Sequence, residues 1–370
     1  MGGIFDCLKN KKRNKGKKKD DDITKPRGVY FFSKDGQKKE MEMTGQDFYN
    51  MYGFEVDTAM IRYCGVYDGH GERGKEASNY LGNTLGTYLI QNKNAIRKWN
   101  TKDMVSQKFI ELYKKIQKSY AKNKEWYELS GTCAISALVI DKFCFVINLG
   151  DSRAVIGSKN LDTKFAIQMS TDAKPNNLEE QERIVKMGGE VTNFKDGSYG
   201  PYRVYKNNGD SVPGLAIARS LGDLVAHECG VSEIPQISFK IIDSQDEFIV
   251  MGSDGIWDVM NSVEIVGYVF ERLDEVGKDR IAEEIVDECR KRWNLINKYK
   301  DEALYEKLMS DSSINANTKN LIQNQYNQAQ LNAQQGAAAG ATGVAGAPNT
   351  GLGGYHSIDD ITCVILFFKY

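Results

Sequence analysis

The chain has 370 residues, 41% of them hydrophobic, and a formal net charge of −1. That is enough apolar material for a large core, and too little net charge for the whole molecule to act as a polycation on nucleic acid. No run approaches the roughly 20 apolar residues that span a bilayer, and the basic start is not followed by the apolar stretch of a secretory signal.

The first segment reads MGGIFDCLKNKKRNKGKKKDDD, and eight of the eleven residues from Lys9 to Lys19 are Lys or Arg. Such a block repels itself, so residues 1–22 are expected to form a disordered tail. Gly2 follows the initiator Met and Cys7 lies close behind. They are candidate myristoylation and palmitoylation sites beside a polybasic patch, a combination that would hold the chain on an anionic membrane surface. Asp6 departs from the Ser or Thr of the myristoylation pattern, and a solvated basic tail is the plainer alternative.

Short β-branched or aromatic runs follow in the body: IRYCGVYD (61–68), TCAISALVI (132–140), FCFVINLGD (143–151) and EFIVMGSD (247–254). Asp141-Lys142 between the second and third predicts a hairpin, hence antiparallel pairing. Helical spacing marks 75–91, through Ala77, Leu81, Leu85 and Leu89, and also 104–120, 178–187 and 263–273. The last begins after Asn261-Ser262, with Glu264 placed to help cap it. Helices between groups of antiparallel strands predict an α+β layered fold. Residues 299–356 turn rich in Asn, Gln, Ala and Gly and are expected to be a flexible insertion. DDITCVILFFKY then reads as a closing strand, so the main domain is expected to comprise 23–298 and 357–370. The seven cysteines show no CxxC pair, which fits reduced thiols in an intracellular, cytoplasmic protein.

Four predicted strand ends carry an acid. Asp68 ends the first, Asp151 another and Asp254 a third, with Asp258 four residues on; Asp359-Asp360 precede the last. Asp47 is a fifth candidate. Each taken alone is most simply turn chemistry. Together at one rim they would repel strongly, and a hard divalent cation, Mg²⁺ or Mn²⁺, would relieve that repulsion.

These residues carry a pattern. GVYDGHGERG (65–74), SGTCA (130–134), NLGDSRAVIGS (148–158), KPNNLEEQERIVKMGGEV (174–191), GLAIARSLGD (214–223), FIVMGSDGIWDVM (248–260) and DDITCVIL (359–366) occur in the order of the type 2C (PPM) metal-dependent Ser/Thr protein phosphatases. The chain resembles that family over nearly all of 45–298 and 357–370. The resemblance implies a four-layer α-β-β-α sandwich, two antiparallel sheets flanked by helices. It implies a monomer that hydrolyses phosphoserine and phosphothreonine in phosphoprotein substrates, with metal-activated hydroxide as nucleophile. Asp68 would bridge two metal ions, the Gly69 carbonyl would ligate one, and Asp254 and Asp359 would complete the other. Asp47 would act through a bound water, Asp151 and Asp258 would serve a third, weaker metal, and His70 would be the general acid.

The chain also departs from the family. Glu42 stands five residues before Asp47, where the family places a basic phosphate-holding residue. Lys38 and Lys39 lie farther back as candidates, with Arg62 and Arg73 as substitutes. Ala173 replaces the histidine of a segment expected to face substrate. The missing basic residue and the tail leave a second reading open, a catalytically inactive phosphatase-fold binding or scaffold protein. A nucleic-acid binder is not expected, because the basic run has no interleaved aromatics.

Overall fold

The computed structural model describes residues 28–36, 45–122, 128–159, 166–195, 198–206, 212–297 and 358–369, and scattered positions between 306 and 327. Two five-stranded antiparallel sheets dominate it. The first has the order β14-β7-β6-β3-β2, made of β2 (Phe48–Val56), β3 (Ala59–Tyr67), β6 (Ala134–Ile140), β7 (Phe143–Leu149) and β14 (Gln236–Ile241). The second has the order β1-β16-β15-β8-β9, made of β1 (Val29–Lys34), β8 (Arg153–Ser158), β9 (Ala166–Gln168), β15 (Asp246–Gly252) and β16 (Ile361–Phe367). The closing strand thus lies between β1 and β15, with Val364 opposite both Phe31 and Met251.

Side-chain alternation explains why these strands read as unbroken apolar runs. Along β6, Ala134 and Leu138 pack toward α1 (Gly74–Ile96) and α2 (Lys102–Tyr120), while Ile135, Ala137 and Val139 pack toward the other sheet. Along β16, Ile361, Cys363 and Ile365 face the opposite helix pair, and Val364 and Leu366 face the first sheet. Both faces of each sheet are therefore dry, and the layers stack helix, sheet, sheet, helix. The four-layer expectation is met.

Helix boundaries follow local chemistry. Leu81, Leu85 and Leu89 of α1 are buried on one stripe, as their spacing predicts. The second helix pair is α6 (Ser262–Val276) and α7 (Ile281–Asn297). Asn261 caps α6 by accepting from the Glu264 amide at 3.0 Å. The Glu264 carboxylate itself goes to Arg292 of α7 (2.8 Å), a stronger partner than the free amide of a capping box. Arg292 is 4% exposed and also binds Glu288 (3.1 Å) and the Val259 carbonyl (3.0 Å). Arg292→Ala would strand Glu264 without a counter-charge, so a loss of about 3 kcal/mol is expected in a urea unfolding curve.

Two smaller units attach to the sandwich. One holds α3 (Leu178–Lys186) and a three-stranded sheet of β10 (Gly189–Lys195), β11 (Ser198–Lys206) and β12 (Pro213–Leu215). The other is a ribbon of two-residue strands, β4 (Gly69–His70), β5 (Gly131–Thr132) and β13 (Leu221–Gly222), in the order β13-β5-β4. The short helix α4 (Leu224–Glu228) follows it, and α5 (Asp254–Trp257) follows β15.

Candidate active site

Asp68 sits between the end of β3 and the start of β4. Its carbonyl accepts from the Cys133 amide (2.8 Å) and the Thr132 hydroxyl (2.9 Å), which anchors the residue across the sandwich. Gly69 packs directly on the N-terminus of α1, and a Cβ there would collide with the Gly74 carbonyl. The glycines of GVYDGHGERG therefore serve a close backbone approach, with Gly71 adding a left-handed turn at φ +79°. Asp254 opens α5, Asp359 precedes β16, and Asp47 precedes β2.

These strand ends meet. Burial pushes the Asp68 carboxyl well above the carboxylate range, and the charges of Asp254, Asp47, Asp359 and Asp151 push it further. Asp254 is raised by burial and then by Asp359, Asp151 and Asp258. Asp47 is raised to about 7, mainly by burial and partly by Asp360 and Asp359, against hydrogen bonds from Thr362 and Ser253. Asp258 is raised to about 6 by burial, Asp151, Asp359 and Asp172, with Lys174 opposing.

Not every acid in the cluster is available to a cation. Asp360 is taken up by backbone: its oxygens accept from Gly36 (2.6 Å), Gly45 (3.0 Å) and Gln46 (2.7 Å), and so hold the loop that presents Asp47. Asp151 accepts from Lys174 Nζ (2.5 Å) and Cys133 Sγ (3.2 Å). Among the described residues no three His, Cys, Asp or Glu side chains already enclose a common point. The donor set nevertheless suits a hard cation. Asp47 Oδ1 is buried with no hydrogen-bond partner, while Oδ2 accepts from Ser253 (2.8 Å). A buried, orphaned carboxylate oxygen amid like charges is costly unless a cation completes it.

Around the acids lie groups that residue patterns did not single out. Lys174 places an internal cation on Asp151; burial opposes its charge, but Asp151, Asp254 and Asp258 hold it. Arg153 binds Asp172 through two bonds (2.9 and 2.7 Å) and lies over the Trp257 ring. His70 Nε2 is 2.7 Å from Asp223 Oδ2, which also accepts from Ser220 (2.6 Å). The available signal was an echo: SLGD (220–223) repeats the L-G-D of NLGD (148–151).

Three expectations need comment. Ala173 does not face substrate: it is 1% exposed, its amide donates to Gly150 (2.8 Å) and its carbonyl accepts from Ala218 (2.7 Å). It is packing beneath the Gly150-Asp151 turn. Arg62 cannot hold phosphate, because it is buried between the sheets with Nη1 donating to the Phe367 carbonyl (2.8 Å). Arg73, beside the Gly71 turn, keeps a half-exposed side chain that bonds Glu76 (3.2 Å). Lys38, Lys39, Gly2 and Cys7 lie outside the described residues, as does nearly all of the 299–356 segment. Among the described residues no helix is long and apolar enough to cross a membrane.

Comparison with known proteins agrees with this geometry. The family model described as Protein phosphatase 2C matches residues 27–294. Probable protein phosphatase 2C 61 of Arabidopsis thaliana is 36% identical over 235 residues, 62% of this chain and 69% of that protein. Probable protein phosphatase 2C 34 of the same plant is 30% identical over 263 residues, 66% of this chain and 69% of that protein. The fold is similar to a crystal structure of a serine-threonine phosphatase 2C from Toxoplasma gondii, with TM-score 0.62 and 17% identity, covering 92% of this chain and 94% of that one. The chain belongs to the protein phosphatase 2C family and, as a member, is a protein phosphatase.

Proposed function

We propose that this protein hydrolyses phosphoserine and phosphothreonine in protein substrates at the acidic cluster, with two Mg²⁺ or Mn²⁺ ions as cofactors. The observation that carries the proposal is the convergence of Asp47, Asp68, Asp254 and Asp359 in a buried site with an orphaned oxygen on Asp47. Asp68, Asp254, Asp359 and the Gly69 carbonyl would hold the ions directly, and Asp47 through water. Bound ions would supply a water acidic enough to attack phosphorus near neutral pH and would neutralise the phosphoryl oxygens.

The chain's own groups do the rest. Backbone bonds to Asp68 and Asp360 preset the carboxylates before a cation arrives. Lys174 keeps Asp151 neutralised at the cluster's flank. His70, with a ring about one quarter exposed, stands at the rim where a leaving oxygen needs a proton. Hydrolysis of a phosphothreonine peptide is expected with Mn²⁺ and not with excess chelator. Absence of metal-dependent turnover in a folded preparation would move the reading to the binding-only alternative.

A further inference from the structure

We propose that Asp223 is the positioning residue for His70, assigning proton delivery to the ring's Nδ1; the proposal rests on the phosphatase reading above. The ribbon β13-β5-β4 builds the pair. Gly131 of β5 lies opposite His70 on one side and Gly222 on the other, so His70 and Asp223 approach each other across a single residue. That residue has to be glycine, since a Cβ on Gly131 would collide with the Asp223 carboxylate.

Asp223 is itself held firmly. It is 3% exposed, its amide donates to the Ser130 carbonyl (2.9 Å), and Ser220 donates to Oδ2 (2.6 Å). Its backbone is left-handed (φ 43°, ψ 50°), a conformation Asp tolerates better than most residues. A carboxylate only accepts, so the proton between the two side chains sits on Nε2. With Nε2 committed to Asp223, the nitrogen that trades protons with substrate is Nδ1. As the phosphorus–oxygen bond breaks, the electron pair stays on the Ser or Thr oxygen, which takes the Nδ1 proton. The ring is left neutral with Nε2–H still on Asp223. The attacking water loses a proton to solvent and its oxygen ends on phosphate, and solvent reloads Nδ1. An orienting carboxylate behind a proton-carrying imidazole sets ring angle and tautomer, as second partners of histidine do generally.

The test is Asp223→Asn in the full chain, with Mn²⁺ saturating and the melting temperature recorded. An alkyl leaving group requires the proton, whereas an aryl leaving group such as p-nitrophenolate departs as an anion. The loss of kcat on a phosphothreonine peptide should exceed the loss on p-nitrophenyl phosphate by on the order of 10²-fold. An independent readout uses ¹⁵N–¹H correlation of the ring nitrogens in the metal-free protein, which is tractable because the chain has three histidines. Wild type should show His70 protonated at Nε2, and Asp223→Asn should lose that preference. Equal losses on both substrates, no loss on either, or a wild-type ring protonated only at Nδ1 would overturn the assignment. If Asp223→Asn does not fold, Ser220→Ala should give the same split at smaller size, and an even loss there would overturn it equally. A wild type inactive on both substrates with Mn²⁺ would instead defeat the phosphatase reading.

Discussion

Asp68→Asn is expected to lower metal-dependent phosphatase activity by more than about 10³-fold, the kinetic equivalent of several kcal/mol of lost metal stabilisation. The same variant is expected to melt higher than wild type when both are chelated. Asp68 is buried, and four other carboxylates oppose its ionisation. Asparagine keeps the shape and removes the charge, so the metal-free fold loses repulsion without gaining a cavity. A gain of about 1–2 kcal/mol corresponds to roughly 3–6 °C for a domain of this size. Peptide dephosphorylation and a thermal melt in excess chelator read the two effects. Retained activity with an unchanged melt would place the cation site elsewhere. The opposed signs are what a site built for charge rather than for stability should show.

The second large effect is a pH dependence of the chelated protein. The Asp47 carboxyl moves from an ordinary 3.8 to about 7, chiefly by burial. The folded chain therefore binds that proton more tightly than the unfolded chain does. Between about pH 4 and pH 7 the folded state carries more protons, so stability falls as pH rises through this window. The full shift is worth on the order of 4 kcal/mol for Asp47 alone. Asp258, moved to about 6, and the raised Asp68 and Asp254 act in the same direction. Chemical denaturation in chelator should give a higher midpoint near about pH 5.5 than near about pH 7.5. Saturating Mg²⁺ should remove most of that slope and add about 2.7 kcal/mol at a hundredfold excess over Kd. A midpoint in chelator that rises across the window would contradict the buried, uncompensated state of the cluster.

Much of the architecture was legible because local patterns answer to local forces. The run TCAISALVI predicts a strand, Asp141 occupies a left-handed turn position (φ 52°), and Asn261 caps where its spacing says it should. Glu264 went to Arg292 instead of back to its cap because the guanidinium comes from another helix, out of reach of any local pattern. The same limit hid Lys174 and Asp223, whose partners Asp151 and His70 lie far away in the chain. Ala173 was misjudged for a related reason. A small apolar residue in a polar motif has no local mark to show whether it meets solvent or packs under a turn.

The sequence by itself determined the elements, the apolar faces and the acids waiting at the strand ends, because periodicity, capping and turn chemistry act over a few residues. It also bore the family's motifs in order. The tertiary structure decided which acids share one buried volume and which are spent on backbone. Asp359 and Asp360 are neighbours, yet Asp360 is consumed by three amides while Asp359 presses on Asp68 and Asp254. Desolvation and Coulomb repulsion depend on distance through space, and only the packed sheets set that distance.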